Sequence, residues 1–101
     1  MNLLALDLGT RTGWALAGNA CEESGVQVFD VKRGESPGMR FVRFNRWLDE
    51  FRGLDLVVYE QTHQRGGAAT EVAAGFATRV QEYCARREIE PFAARRLHLD
   101  K

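Results

Sequence analysis

The sequence predicts a single α/β domain over residues 1–101, built on a five-stranded mixed sheet. Two short runs, residues 3–8 and 54–60, are almost wholly apolar, as buried strands are. Two longer segments repeat apolar residues at three- and four-residue spacing, which is typical of amphipathic helices. The order of these signals is strand, strand, strand, helix, strand, helix, strand, and this alternation favours an α/β architecture.

The first three strands are expected to form an antiparallel meander. Residues 3–8 suit a central strand covered on both faces, and residues 9–12 supply the turn that follows. Residues 13–17 form the second predicted strand, and residues 25–33 form the third after a polar loop. Connections this short suit antiparallel neighbours.

The first helix is predicted over residues 37–52, with Ser36 as its N-cap and Pro37 as its first residue. One face is aromatic and aliphatic, and the other carries a basic row. A solvated helix face is the favoured interpretation of this row, and phosphate contact is the alternative. The row consists of Arg40, Arg43 and Arg46.

The rest of the chain is expected to add two parallel strands around a second helix. Strand 54–60 ends in an acid, helix 68–87 has many small residues on its inward face, and strand 89–97 closes the domain. Pro91 places the start of the last strand at an edge or a turn.

The composition is ordinary for a globular protein, with 45% hydrophobic and 28% charged residues and a formal net charge of zero. No apolar run approaches the roughly 18 residues of a membrane span, and no basic segment precedes the apolar N-terminus, so we expect a cytoplasmic protein. Cys21 and Cys84 lack metal-ligand spacing and are predicted to be free thiols. Twelve of the fourteen basic residues are arginine, so the neutral sum does not exclude a nucleic-acid partner.

Asp7 and Glu60 each end an apolar strand. The first helix joins the early strands to strand 54–60, and such a crossover normally places parallel strands side by side. If the first and fourth strands are those neighbours, both acids lie at the carboxyl edge of the sheet, where α/β proteins bind ligands. Two carboxylates in one crevice repel unless a cation intervenes, and oxygen ligands suit Mg²⁺ or Mn²⁺ in phosphoryl chemistry. Two alternatives stay open: Asp7 caps the following turn, and Glu60 pairs with an arginine.

Several segments together resemble the RuvC-like Holliday junction resolvases, within the ribonuclease H-like fold. These segments are DLGTRTGWALAG at the first strand, VVYEQ at the acid-terminated strand, and QRGGAATEVAAGFATRVQEY at the second helix. GESPGMRF and RGGAATE resemble the phage and prophage branch most closely. The resemblance covers nearly the whole chain. The DLGT turn alone also resembles that of sugar kinases and actin-like ATPases, whose chains are several times longer.

The resemblance implies a ribonuclease H-like sheet, with Asp7 and Glu60 as catalytic ligands of Mg²⁺ or Mn²⁺. Family members complete this site with acidic or His/Asp residues on a helix after the last strand, and this sequence ends at Lys101, where that helix would begin. His98 and Asp100 are the only downstream candidates. We therefore expect either a C-terminally truncated resolvase or a degenerate copy with an incomplete centre.

Two loops flank the predicted metal site and are expected to contact DNA; a flexible lead-in to the helix is the alternative for the second. The first loop holds Thr10, Arg11 and Thr12, and the second holds His63, Gln64, Arg65, Gly66 and Gly67. Since resolution requires two matched cuts, the resemblance also implies a homodimer. Helix 68–87 is the candidate interface, although it is equally able to pack only on its own sheet.

The predicted function is that of a metal-dependent endonuclease that cleaves phosphodiesters at branched DNA, in recombination or phage DNA processing. The alternative is a non-catalytic module that binds structured DNA or dimerises, and a third hypothesis is a phosphate-binding ATPase fragment. The three differ in what they require: metal-dependent cleavage, salt-sensitive binding without metal, or affinity for nucleotide.

Overall fold

The computed structural model describes residues 1–19, 22–61 and 67–97, and within them five strands and two helices follow in the predicted order. The strands are β1 Leu3–Asp7, β2 Arg11–Ala17, β3 Glu22–Val28, β4 Leu56–Glu60 and β5 Glu90–Ala94, and the helices are α1 Met39–Leu48 and α2 Ala68–Arg87. The strands form one sheet in the order β3-β2-β1-β4-β5. The prediction of an α/β fold with a five-stranded mixed sheet is confirmed.

Strand β1 lies at the centre of the sheet. It pairs antiparallel with β2, where Leu6 lies opposite Trp14, and parallel with β4, where Leu6 lies opposite Tyr59. β3 continues the antiparallel meander, and β5 pairs parallel with β4. Strands β1, β3, β4 and β5 therefore all end at one border of the sheet, which we call the carboxyl edge, and they begin at the opposite border, the amino edge.

Both helices pack on one face of the sheet, because strand alternation turns every second side chain of β1 and β4 toward them. Leu6 and Val57 are fully buried there with Phe44 of α1 and Phe76 of α2. The ring centroid of Phe44 lies 4.9 Å from that of Phe76 and 5.2 Å from that of Phe29, in edge-to-face contacts. Burying side chains of this size contributes about 1.5–3 kcal/mol each, so this layer is the main source of stability.

The opposite face of the sheet is covered by neither helix, and we call it the open face. Strand alternation assigns Ala5, Val58 and Phe92 to it, and the register aligns Ala5 with Val58 and Val58 with Phe92. Ala5 is 7% exposed yet lies outside the helix-side core. Phe92 keeps 58% of its surface exposed, so this face presents apolar side chains to its surroundings.

Helix α1 begins later than predicted. It starts at Met39 with Gly38 as its N-cap, and no side chain caps it, so the assignment of Ser36 as N-cap and Pro37 as first helical residue is wrong. The Ser36 hydroxyl instead accepts a hydrogen bond from the Gly38 N–H at 3.3 Å. This bond closes a turn ahead of the helix, which is a common alternative use of serine.

The basic row of α1 is not uniformly solvated. Arg43 forms an ion pair with Glu35 and donates a hydrogen bond to the Asp30 carbonyl at 3.0 Å. Glu35 also accepts the Lys32 N–H at 2.7 Å. These bonds fasten the loop between β3 and α1 to the second turn of the helix, whereas Arg46 stays exposed.

The helix also ends earlier than the predicted residue 52, because α2 holds the chain that follows Leu48. The carbonyl of Phe51 accepts hydrogen bonds from the Tyr83 hydroxyl at 3.0 Å and from the Arg87 guanidinium at 2.8 Å. Arg87 also pairs with Asp49 at 2.9 Å. The residues after α1 therefore form a connection to β4 instead of a further helical turn.

Seven strand boundaries also differ from the prediction. β2 begins at Arg11 instead of residue 13, so Thr12 lies in the strand and not in the preceding turn. β3 begins at Glu22 instead of residue 25 and ends at Val28, which lies opposite the first residue of β2. The other differences are the end of β1 at residue 7, the start of β4 at residue 56, and the start and end of β5 at residues 90 and 94.

Helix α2 spans the predicted residues and packs on α1, β4 and β5. Val80 and Cys84 are fully buried in this contact. Cys84 is a free thiol, as predicted, and burial raises its pKa to about 11; Cys21 lies outside the described residues. Within the described parts of the chain, neither helix is long and apolar enough to span a membrane.

Candidate active site

The structure brings Asp7 and Glu60 together at the carboxyl edge. Leu6 and Tyr59 pair directly across β1 and β4, and each acid is the next residue and the last of its strand. Strand alternation turns both carboxylates to the open face, away from the helices. Both residues are half-buried. The juxtaposition expected from the helical crossover is therefore present in the fold.

The carboxylate of Glu60 is held by the chain that follows β5. The Leu97 N–H donates a hydrogen bond to Glu60 Oε1 at 3.0 Å, and the Gln61 N–H donates to the Ala94 carbonyl at 2.6 Å. Residues 95–97 therefore turn across the end of β4. No arginine pairs with Glu60 among the described residues, so the ion-pair alternative finds no support there.

The turn after Asp7 is closed by Thr12. Its hydroxyl donates to the Gly9 carbonyl at 2.7 Å and accepts the Gly9 N–H at 3.4 Å, and the residue is fully buried. Direct contact of the Thr12 side chain with DNA does not fit this burial, so that part of the prediction is corrected to a structural role. Thr10 is half-buried and Arg11 is exposed, so both stay candidates for contact.

The donor set fits a hard divalent cation with part of its shell left to water. Two carboxylates on adjacent strand ends are oxygen ligands of the kind that Mg²⁺ and Mn²⁺ prefer, and Mg²⁺ commonly takes only one or two carboxylates from the protein. Among the described residues, no group of three histidine, cysteine or acidic side chains is arranged to hold a metal ion. The site therefore offers two protein ligands from this part of the chain.

Much of the predicted second loop and the C-terminal candidates fall outside the described residues. These are His63, Gln64, Arg65, Gly66, His98 and Asp100. Gly67 is described: it precedes α2 with a φ of +91°, a left-handed conformation that disfavours every residue with a side chain. Glycine at this position is thus required by the backbone that leads into the helix.

Sequence reasoning missed the segment that follows β5. Arg95 and Arg96 lie between the end of β5 and the Leu97 amide that binds Glu60, which places two exposed cations beside the candidate site. The prediction extended the last strand through residue 97, and this extension treated both arginines as strand residues. The expected parallel pairing of the last strand with the acid-terminated strand could have located these arginines. Parallel neighbours end at the same edge, so residues just after the last strand lie near Glu60.

Comparison with known proteins gives structural relatives. No family model and no curated protein matches the sequence. The solved structure of RuvC from Thermus thermophilus matches with a TM-score of 0.63 and 18% identity, over 92% of this chain and 63% of that chain. The structure of T. thermophilus RuvC in complex with a Holliday junction substrate matches with the same TM-score and identity, over 92% of this chain and 65% of that one.

The chain therefore spans less than two thirds of the RuvC chains that it matches. At 18% identity the likeness shows a shared fold, so the RuvC-like, ribonuclease H-like architecture expected from the sequence is confirmed.

Proposed function

We propose that this chain carries the nuclease fold of a metal-dependent endonuclease that cleaves phosphodiesters at branched DNA, as Holliday junction resolvases do. The observation that carries the proposal is the placement of Asp7 and Glu60 on adjacent parallel strand ends of a RuvC-like sheet. The RuvC structure solved with a Holliday junction substrate supports branched DNA as the substrate class. A role in recombination or phage DNA processing, and a cytoplasmic location, belong to the same proposal.

In this mechanism Asp7 and Glu60 hold Mg²⁺ or Mn²⁺. When bound, the ion supplies Lewis-acid stabilisation of phosphoryl oxygens and lowers the pKa of a water that acts as the nucleophile. The Leu97 N–H donates to Glu60 Oε1 and thereby limits the rotation of the carboxylate that would help to hold the ion. Arg11 is exposed in the strand that follows the turn after Asp7, within the region where a scissile phosphate would lie.

The first prediction concerns the two acids. We expect Asp7→Asn and Glu60→Gln each to lower Mn²⁺ affinity, and cleavage of a labelled four-way junction, by about 100-fold or more, because loss of a direct ligand exceeds the 10- to 100-fold effect of residues behind the ligands. Glu60→Gln keeps an oxygen for the Leu97 amide, so it removes charge with little change of structure.

The measurements are isothermal titration with Mn²⁺ and gel-resolved junction cleavage. Glu90→Gln is the matched control, because it removes an acid at the start of β5, on the amino edge of the same sheet. Unchanged Mn²⁺ affinity in both acid variants would overturn the metal site. Junction cleavage that survives Asp7→Asn would overturn its catalytic role.

The second candidate function is a non-catalytic module that binds structured DNA. It is favoured by the small donor set, since the described residues supply only two clustered acids and two-metal nucleases use more. It requires junction binding that falls with salt and is indifferent to Mg²⁺. The binding isotherm with and without Mg²⁺, measured beside the titration above, separates the two functions.

A two-fold homodimer completes the proposal, because two matched cuts need two sites. The inward side of α2 is already used by its own domain through Phe76, Val80 and Cys84. A dimer through α2 would therefore use its outward side, which carries Thr78 and Ala85.

A further inference from the structure

Exposed basic residues lie at several points of the carboxyl edge, although the formal net charge of the chain is zero. They occur in segments that leave this edge or enter β2 there. These residues are Arg11, Lys32, Arg33, Arg95 and Arg96. Asp30, which follows β3, is an exposed acid in the same region.

Four of the basic residues form two pairs at opposite ends of the carboxyl edge. Lys32 and Arg33 follow β3, and Arg95 and Arg96 follow β5; we call them the basic pairs. β3 and β5 are the outermost strands of the sheet, so their ends are four strand spacings of about 4.8 Å apart, or roughly 19 Å. The strands that bear the two acids lie between them.

The basic pairs differ from Arg43, Arg86 and Arg87 of the helices, because their side chains form no ion pair within the described residues. Arg43, Arg86 and Arg87 form ion pairs with acids of their own domain. None of the four side chains in the basic pairs forms a hydrogen bond or an ion pair within the parts of the chain that the structure describes, and all four are exposed. Their charge is therefore available to a ligand.

Both pairs stand on backbone that the fold holds in place. The loop that carries Lys32 is closed by the Lys32 N–H bond to Glu35 at 2.7 Å and by Arg43, which binds both Glu35 and the Asp30 carbonyl. The segment that carries Arg95 is held on one side by the bond from Gln61 to Ala94 and on the other by the Leu97 bond to Glu60. Cations on such fixed backbone lose less conformational freedom on binding than cations on free tails.

We propose that the basic pairs are the two ends of a phosphate track, along which the sugar–phosphate backbone of DNA crosses the carboxyl edge and passes over Asp7 and Glu60. Arginine and lysine bind phosphate oxygens without reading base sequence, so the track positions the backbone at the acids and leaves sequence unread. The inference rests on the proposed function for its substrate class, and it names the residues that deliver that substrate.

The test compares Lys32→Ala/Arg33→Ala and Arg95→Ala/Arg96→Ala with Arg46→Ala/Arg52→Ala. The control removes the same charge from two exposed arginines, in α1 and in the connection after it, that form no ion pair with any described residue. Fluorescence anisotropy gives the affinity for a labelled four-way junction at several salt concentrations in EDTA. Each phosphate contact contributes about 0.9 to the slope of log K against log salt, so each pair is expected to lower the slope by about 1.8, and the control to leave it unchanged.

If the slope of log K against log salt is the same in all variants and in the unsubstituted protein, the phosphate track is contradicted. If the control lowers the slope as much as the basic-pair variants do, the effect reflects the net charge of the protein and not these positions. Circular dichroism melting of each variant excludes unfolding as the cause. A failure of the proposed function gives another result. In that case Asp7→Asn and Glu60→Gln leave Mn²⁺ affinity and cleavage unchanged, while the basic-pair variants still lower the slope of log K against log salt. If the basic-pair variants keep the salt dependence of the unsubstituted protein while Asp7→Asn and Glu60→Gln still lower Mn²⁺ affinity, only the phosphate track is contradicted.

Discussion

The ionisation of Glu35 is coupled to folding. Its hydrogen bonds with the Arg43 guanidinium and with the Lys32 N–H lower the pKa of the Glu35 carboxyl from 4.5 to about 2. Both partners reach Glu35 only when the loop before α1 is folded against the helix. Because the folded pKa lies below the unfolded one, this carboxylate stabilises the fold above about pH 4.5, and the contribution is lost as the pH falls toward 2.

We therefore expect Glu35→Gln to lower the melting temperature at pH 7 and to flatten its decline between pH 5 and pH 2, relative to the unsubstituted protein. Differential scanning calorimetry across this pH range measures both effects. Glu50→Gln is the control, because Glu50 is exposed beyond the end of α1 and forms no ion pair within the described residues. Parallel pH profiles for Glu35→Gln and the unsubstituted protein would contradict the coupling.

Sequence reasoning had no means to find this pair. Arg40, Arg43 and Arg46 repeat every third residue and look equivalent along the helix, so all three were predicted to be solvated. The pairing of Arg43 depends on the path of the loop between β3 and α1, which brings Glu35 alongside the helix. Loop paths follow from tertiary packing and not from residue spacing.

At the scale of elements, Gly75 sets how closely α1 and α2 approach. A Cβ at this position would lie 2.4 Å from Cζ of Phe41, far inside van der Waals contact. The missing side chain lets the Phe41 ring lie against α2, where its centroid is 5.0 Å from that of Phe76. The small residues of α2, expected to allow close packing, are thus used in part by α1 of the same chain.

We expect Gly75→Ala to lower the free energy of unfolding by about 1 kcal/mol, because overpacking costs about 1–3 kcal/mol and the gain in helix propensity returns about 1 kcal/mol. Urea denaturation measures the change. Ala85→Gly, at an exposed position of the same helix, reports the propensity effect alone. The double variant Phe41→Leu/Gly75→Ala is expected to recover stability; a Gly75→Ala variant more stable than the unsubstituted protein would show that the ring moves aside at no cost.

Helix and strand bounds were predictable where the apolar pattern was long and its ends were clear. α2 has a long apolar repeat that starts after Gly67, and its predicted bounds, residues 68–87, are confirmed. For β3 the apolar pattern continues past Val28, but regular pairing stops there because the neighbouring strand β2 begins at the opposite residue, Arg11. A strand boundary of this kind is set by the length of the neighbouring strand, which the pattern of one segment does not record.

At the scale of the whole molecule, both helices lie on one side of the sheet and leave some apolar side chains of the open face exposed. Phe92 is 58% exposed and Val28 is 43% exposed on this face, at opposite ends of the strand order. Exposed apolar patches on sheets promote association with other surfaces.

We expect Phe92→Thr to lower concentration-dependent self-association, with a change in melting temperature of only about 1–2 °C, since the ring contributes little to the core and threonine suits a strand. Sedimentation velocity over a range of protein concentrations measures the association. The control is Val42→Ala, which removes an apolar side chain 38% exposed on α1. Equal association in Phe92→Thr and the unsubstituted protein would assign self-association to another surface.

The same topology explains how much of the candidate site was predictable. Asp7 and Glu60 were placed together correctly, because the helix that leads from the meander into β4 allows β4 to pair parallel with β1, and both strands end in an acid. Thr12 was misassigned, because its hydroxyl serves the turn that its own backbone creates. Arg95 and Arg96 were missed, because the end of β5 is set by its pairing with β4 and not by its own composition.

If Glu60 binds the cation that we propose, its hydrogen bond with the Leu97 amide links two equilibria. Docking of residues 95–97 across β4 and binding of the cation would then share one carboxylate, so each would change the free energy of the other by the same amount. If the docked segment orients Glu60 for the ion, the ion in turn stabilises the docked segment, and with it the position of Arg95 and Arg96. The change in cation affinity when residues 95–97 dock, and the change in their docking when the cation binds, then report the same coupling free energy.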